Sequence, residues 1–177
     1  MKNGRSQQSS QAGFSLIEVL VALLVFGVGV VGFAALQLKS VDRAEGTYSR
    51  SQAMSIAQDL IERAKANVTQ PALAVYLNPA SWTQELVDPG SCVVTNAAPT
   101  SANACSSESM AAYDVYQVRS SLSTLLVNGK INLSSCDSVY CVRVAWNETQ
   151  LDSCDQAAFD DGERSPDADC VLVEFIP

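Results

Sequence analysis

Residues 13–38 read GFSLIEVLVALLVFGVGVVGFAALQL and contain a single formal charge, on Glu18. Residues 19–38 have no charged side chain, and 20 residues in a helix that rises about 1.5 Å per residue cross a hydrocarbon core of roughly 30 Å. Residues 1–13 carry Lys2 and Arg5 and no acid. Because basic segments stay on the cytoplasmic side, the sequence predicts a membrane helix whose N-terminus is cytoplasmic, with the remaining chain outside.

The apolar stretch leads into a segment with helical spacing. Apolar residues recur around Ile56 and Leu60 with charged residues between them, and the first proline of the chain is Pro71. The pattern predicts one helix of roughly 50 residues whose second half packs on a folded domain. Pro71 and Pro79, each preceded by a polar residue, mark the exit from this helix.

The rest of the chain mixes helix and strand signals. A second helix is predicted over residues 109–127, with Asn128-Gly129 as its stop signal, and residues 89–109 are predicted to form a long loop. The apolar stripe of that helix is read as core: Ala111, Val115, Val118, Leu122 and Leu125. Alternating apolar residues predict strands at Ile131 and Leu133, at Val142, Val144 and Trp146, and at Val171, Val173 and Phe175. The predicted fold is α+β, an antiparallel sheet covered by the long helix.

Composition excludes several classes of function. The 177-residue chain suits one domain plus an appended segment, and it contains no histidine, which removes histidine-based nucleophile systems and histidine-ligated zinc. Its net charge is −8, and loss of residues 1–13 would lower it to −10. Nucleic acid is not an expected partner, because phosphate binding needs clustered Lys and Arg. We predict a protein that is not an enzyme and has no cofactor.

All six cysteines follow residue 90, and an even number in a domain beyond a membrane segment indicates an oxidising compartment and three disulfides. Six cysteines allow 15 connectivities, so the pairing is not fixed by the sequence. Pairing between neighbours is the prediction, with Cys136 or Cys141 bonded to Cys154 as alternatives. The neighbour pairs are Cys92 with Cys105, Cys136 with Cys141, and Cys154 with Cys170.

Acids are concentrated over residues 160–169, between the last two cysteines: Asp160, Asp161, Glu163, Asp167 and Asp169. Oxygen ligands at this density suit calcium, although their spacing matches no EF-hand loop. A solvated acidic loop is the preferred interpretation, calcium binding is the alternative, and a catalytic carboxylate pair is the third reading.

The residues Gly13-Phe14-Ser15-Leu16-Ile17-Glu18-Val19-Leu20 resemble the class III prepilin signature, in which an aromatic residue follows Gly and Glu is the fifth mature residue. The segment that continues to Gln37 is similar to the PilV group of type IV minor pilins. The resemblance implies the pilin fold, Gly13 as the last leader residue, and Phe14 as the N-methylated N-terminus. It also implies that Glu18 faces a neighbouring subunit's N-terminal amine, which would give a buried carboxylate the cation that it needs.

The resemblance further implies a function and partners. It implies a minor pilin that promotes type IV pilus assembly within a tip complex and supports adhesion and twitching motility. Its partners would be other minor pilins, the major pilin, prepilin peptidase, the bacterial inner membrane and a PilY-type tip adhesin. The alternatives are a minor pseudopilin of a type II secretion system and a binding module, either a DNA-uptake pilin or a displayed adhesin. The implied organisation is a leader over residues 1–13, a membrane and filament-core helix over 14–38, and an extracytoplasmic domain over 39–177, first periplasmic and then in the pilus.

Small residues within the apolar stretch have a separate interpretation. Residues 27–32 spell GxGxxG, but no strand precedes them, so a dinucleotide site is rejected. Gly29, Gly32 and Ala35, spaced by three, leave a smooth strip on the helix instead. We expect this strip to permit close packing against another helix.

Overall fold

The computed structural model of the chain describes residues 13, 15–90, 92, 105–154 and 168–176. Two compact units divide between Glu45 and Gly46, namely Met1–Glu45 and Gly46–Pro177. The predicted boundaries at residues 13 and 38 stay predictions. The confirmed feature is the α+β class, with a long N-terminal helix, further helices and one antiparallel sheet.

Helix α1 runs over Leu16–Ala66, 51 residues, in agreement with the expected length of about 50. Within the second unit its buried residues begin at Ala53 and recur every three or four positions through Leu60 to Ala64. That spacing places them on one face of the helix, as expected for a helix packed on one side. Tyr48, which also has helical spacing, is exposed.

Two short helices occupy the region that the sequence analysis read only as an exit. Helix α2 is Gln70–Tyr76, and helix α3 is Pro79–Thr83. Thr69 and Asn78 are their N-cap residues, and each side-chain oxygen accepts a backbone N–H from the first turn. A proline in the first turn lacks only an N–H that would have no helical partner, so Pro71 and Pro79 stand in the first turns of new helices.

Helix α4 runs over Ser107–Leu125, two residues earlier at both ends than predicted, so part of the predicted 89–109 loop is helical. Ser106 is its N-cap and accepts the Ser109 N–H at 3.1 Å, which explains the earlier start. The expected core residues of α4 are buried, except that Leu125 is 44% exposed because the helix ends there.

The sheet has three antiparallel strands in the order β1-β2-β3. The strands are β1, Lys130–Cys136; β2, Val139–Ala145; and β3, Cys170–Phe175. Asp137 begins the two-residue turn between β1 and β2 and has φ +51°, a conformation that Asp tolerates. Trp146 was predicted as a strand residue but follows the end of β2, although its N–H still donates to the Asp169 carbonyl at 3.0 Å.

Register divides the side chains between two faces of the sheet. Ile131 pairs with Val144 and Val144 with Val171, and all three side chains lie in the main core. That core also contains buried residues of α1, α2, α3 and α4, so four helices and not α1 alone contribute to the core on this face of the sheet. The opposite face contributes to a smaller cluster built on Ala145, Cys154 and Cys170.

Three disulfides join neighbouring cysteines, and no free cysteine remains. Cys92 bonds to Cys105, Cys136 to Cys141, and Cys154 to Cys170. The second disulfide links β1 to β2 beyond their hairpin turn. Most of the residues enclosed by the other two pairs, 93–104 and 155–167, lie outside the described residues.

Candidate functional site

The sequence-predicted processing site lies at the start of α1. Gly13 and Ser15 are exposed, and the Ser15 carbonyl accepts the backbone N–H groups of Glu18 and Val19 at 3.0 and 3.3 Å. Phe14, the predicted methylated residue, lies outside the described residues. Glu18 is exposed in the first helical turn, where the positive end of the helix dipole favours a carboxylate in water.

The surface around Glu18 is apolar. Every Val, Leu, Ile and Phe side chain between Leu16 and Leu38 is exposed, and none of the most apolar 18-residue window of α1 is buried. In the described part of the chain, α1 alone is long and apolar enough to cross a membrane, a criterion of length and composition only. Such a surface needs lipid or protein around it, because an apolar area of this extent is unusual on a soluble monomer.

Gly29 and Gly32 lie within this exposed surface. A Cβ atom built at either position meets no heavy atom within 4 Å. The small residues at these positions are therefore not required by any contact within the described chain. Ala35 follows at the same spacing and is likewise exposed.

In the second unit, three helices meet at a buried polar cluster. Asp114 of α4 is 6% exposed, and it accepts hydrogen bonds from the Tyr76 hydroxyl of α2 at 2.6 Å and from Arg63 Nη1 of α1 at 2.9 Å. Arg63 Nε also donates to Asp59 at 2.9 Å. Both Asp114 carboxylate oxygens thus have partners, as a buried charge requires. We name Arg63, Tyr76 and Asp114 the three-helix cluster.

Electrostatics in this cluster favour the protonated phenol and the charged guanidinium. The pKa of Tyr76 lies well above its ordinary value of 10, because burial and then the hydrogen bond to Asp114 oppose ionisation. Burial alone would lower the pKa of Arg63, but its hydrogen bonds to Asp114 and Asp59 raise it overall. The cluster is therefore an ion pair with a neutral donor, suited to holding helices together.

Arg143 organises the opposite face of the sheet. Its Nε donates to the Cys154 carbonyl at 3.1 Å, its Nη1 to Ser134 Oγ at 2.6 Å, and its Nη2 contacts Cys136 Sγ at 3.6 Å. These partners come from β1, from the β1–β2 disulfide and from the turn that bears Cys154. All three partners are uncharged, so they orient the guanidinium of Arg143 without neutralising its charge.

Most of the acids that suggested a calcium site lie outside the described residues, so that alternative stays a prediction. Of the acids between Cys154 and Cys170 only Asp169 is among the described residues, and its carboxylate accepts the Asn147 Nδ2–H at 2.7 Å. Asp160, Asp161, Glu163 and Asp167 lie outside the described residues. Among the described residues, no three Asp, Glu or Cys side chains are grouped as ligands for a metal ion.

Sequence reasoning missed the three-helix cluster, although one signal for it was present. Asp114 lies three residues after Ala111 and four before Val118, so helical spacing puts this acid on the apolar stripe. An acid on a buried face requires a cationic or donor partner. Its two partners are 38 and 51 residues away in the sequence, and local pattern does not identify them.

Comparisons with known proteins agree with the apolar N-terminal segment and the long helix. Residues 8–34 match the prokaryotic N-terminal methylation motif, and residues 35–116 match a family described as type IV pilin Tt1218. No curated protein and no solved structure is significantly similar to the chain.

The two matches are consecutive and together extend from residue 8 to residue 116. They cover the predicted cleavage site, all of α1 and the first part of α4, including every member of the three-helix cluster. The remaining part of the chain contains the sheet, which completes an α+β arrangement with a long N-terminal helix. The chain thus has the pilin fold, carries the N-terminal methylation motif, and is similar to type IV pilins.

Proposed function

We propose that the protein is a minor pilin of the PilV type, a non-catalytic subunit that primes or promotes assembly of a type IV pilus within a minor-pilin tip complex. The observation that carries the proposal is an exposed, apolar helical surface that begins at Leu16, shortly after a prepilin-like Gly, and has Glu18 as its single charge up to Leu38. Adhesion and twitching motility would depend on it through the number of pili assembled.

Glu18 is the proposed assembly residue. An ionised carboxylate within a membrane helix costs about 2.5–3.5 kcal/mol at mid-helix, and less near an end. A cation close to Glu18 would offset this cost, and cleavage after Gly13 would create one as the free amine of Phe14. In a staggered pair of helices, the amine of one subunit would then neutralise Glu18 of its neighbour.

The open strip at Gly29, Gly32 and Ala35 is the proposed contact for a neighbouring helix. Small residues allow two helix backbones to approach closely in an apolar environment, where dispersion contacts drive association. Supporting this role, the described chain leaves the space above Gly29 and Gly32 empty. The proposed partners are other minor pilins and the major pilin in the inner membrane, with prepilin peptidase acting first and a PilY-type adhesin joining at the tip.

The first experiment tests processing. Intact and N-terminal peptide masses of the membrane-extracted protein would be compared between cells with and without prepilin peptidase. We expect a peptidase-dependent chain that starts at N-methylated Phe14 and gains six hydrogens on reduction of three disulfides. An uncleaved chain in both strains would refute the pilin assignment.

The second experiment tests assembly through Glu18. Glu18→Ala should reduce pilus number per cell and twitching, whereas Glu45→Ala, which removes another exposed acid of α1, should leave both unchanged. Equal pilus numbers in the two variants would refute the role of Glu18. Co-purification with secretion subunits instead of pilus subunits would favour a type II pseudopilin.

A further inference from the structure

Strand β3 forms one edge of the sheet, since it is hydrogen-bonded to β2 and to no other described strand. The Trp146 N–H bond to the Asp169 carbonyl fixes which residues exchange backbone hydrogen bonds, because such pairs alternate along an antiparallel ladder. Val171 and Val173 therefore bond to β2. The N–H and C=O groups of Leu172 and Glu174 point away from it.

The accessible part of this edge is short. Cys170 is fully buried, whereas Glu174 is exposed and Ile176, just beyond the strand, is 72% exposed. No other described residue is hydrogen-bonded to the outward backbone groups of Leu172 and Glu174. We name residues 172–176 the β3 edge.

The β3 edge lacks most devices that prevent strands from pairing between molecules. Residues 172–176 include no proline and no lysine, and Glu174 is the one charged residue among them. The pairing of β3 with β2 is continuous and has no β-bulge. A row of unpaired backbone groups is satisfied most completely by another extended chain.

The charged residues near the β3 edge indicate which kind of side chain an added strand would carry. Glu174 and Asp137 line one cavity of about 520 Å³ beside the edge, and neither has a hydrogen-bond or ionic partner among the described residues. Arg143, which also lines it, is held by Ser134, Cys136 and Cys154. The other basic side chains of the described second unit each contact a group of that unit: Arg50, Arg63, Lys65, Arg119 and Lys130. With two carboxylates and one guanidinium, the described lining of this cavity carries a net negative charge.

We propose that the β3 edge is a strand-addition site for an extended segment of another subunit, with a Lys or Arg side chain placed against Glu174. The identity of that partner as a subunit rests on the proposed function. The proposed backbone pairing and the preference for a positive side chain are argued from the β3 edge and do not depend on the proposed function. They are tested with the isolated, mature, disulfide-intact chain in detergent, so a failed Glu18 experiment leaves these tests meaningful.

The first test measures amide hydrogen exchange residue by residue. The outward amides of Leu172 and Glu174 should exchange at least a hundredfold faster than the inward amides of Val171 and Val173. Equal protection of all four amides would overturn the proposal, because it would mean that the chain's own residues already cover this edge.

The second test uses defined peptides. The probe is acetyl-Thr-Val-Lys-Val-Thr-Val-amide, and its matched control has Glu in place of Lys. The Lys peptide should bind at least fivefold more tightly and slow exchange at Leu172 and Glu174. Alternate backbone N-methylation of the Lys peptide should abolish binding. Failure of the unmethylated Lys peptide to bind, or equal binding of the Lys and Glu peptides, would overturn the proposal.

Two variants distinguish the contribution of backbone hydrogen bonds to peptide binding from that of the Glu174 charge. Glu174→Pro removes an outward N–H without breaking a hydrogen bond to β2, and it should weaken binding of the Lys peptide at least tenfold. Glu174→Ala should retain backbone binding and lose the preference for Lys. Equal affinity of both variants would overturn the backbone role, provided that their thermal unfolding is alike. If sedimentation detects self-association that Glu174→Pro abolishes, the occupant is a second copy, which contradicts the partner we propose.

Discussion

The Tyr76 hydroxyl donates a 2.6 Å hydrogen bond to Asp114 Oδ2, and this bond joins α2 to α4 across 38 residues of sequence. The second oxygen of the same carboxylate receives Arg63 of α1. No disulfide includes a residue of α1, so this helix is held to the rest of the domain by noncovalent contacts. The three-helix cluster is one polar part of that attachment, beside the cation–π contacts of Arg50 with Trp146 and of Lys65 with Phe175.

We predict that Asp114→Ala lowers the free energy of unfolding by about 3–5 kcal/mol, because it leaves Arg63 and Tyr76 without their buried acceptor. Asp59→Ala is the matched control, since it removes the half-exposed partner of the same arginine and should cost at most about 1 kcal/mol. Urea unfolding followed by fluorescence measures both, because Trp82 and Trp146 are buried. Losses within 1 kcal/mol of each other would contradict the prediction.

Alkaline pH should destabilise the protein through Tyr76. Its pKa is raised on folding, so its contribution is fully present below pH 10, the ordinary value, and falls as pH rises toward the folded pKa. For one tyrosine the expected slope is about −1.4 kcal/mol per pH unit. Tyr76→Phe should be less stable than the parent at pH 8, by about 1.5–3 kcal/mol, and should show a shallower decline above pH 10. Parallel curves above pH 10 would show that Tyr76 does not titrate as predicted.

Two disulfides allow a comparison at nearly equal loop length. Cys154 with Cys170 and Cys92 with Cys105 have sequence separations of 16 and 13, so the entropy model assigns each about 3 kcal/mol. The first pair is fully buried and the second is not. The double Ala variant of the first pair should therefore lose about 1–2 kcal/mol more, from the space left in its cluster. Chemical unfolding of both variants tests this, and a larger loss from the second pair would refute it.

Two glycines should respond oppositely to alanine. A Cβ at Gly129 would lie 2.8 Å from Leu122 Cγ and 3.2 Å from Leu126 Cβ, so Gly129→Ala should destabilise the domain by about 1–3 kcal/mol. Gly46 lies in α1 with no atom within 4 Å of the added carbon, and Gly46→Ala should stabilise by up to about 1 kcal/mol. Thermal unfolding measures both changes. Equal shifts would contradict the packing at Gly129.

Features governed by neighbouring residues were predictable from the sequence. The length of α1 followed from sustained helical spacing up to Pro71, and the strands followed from alternation such as that of Val142 and Val144. Their ends were less predictable, because capping decides them. Ser106 begins α4 two residues early, and the Thr69 cap turns a presumed exit into α2.

Features that depend on distant partners were not predictable. The acid on the stripe of α4 was visible, but Tyr76 and Arg63 become its partners only when three helices meet. The second face of the sheet shows the same limit. Alternation placed Arg143 away from the core, yet its attachment to the Cys154 turn required the fold. The roles of Gly13, Phe14 and Glu18 remain predictions, because each needs a peptidase, a methylase or a second subunit to be observed.

The disulfides of the second unit also determine where foreign sequence can be inserted. The Cα atoms of Cys92 and Cys105 are 5.6 Å apart, and those of Cys154 and Cys170 are 6.0 Å apart. Each bond holds both ends of its enclosed segment, so a longer segment need not displace the helices or the sheet. Doubling the length of a closed segment costs only about 0.6 kcal/mol of closure entropy. An epitope inserted between either pair is therefore expected to leave the fold of the described residues unchanged.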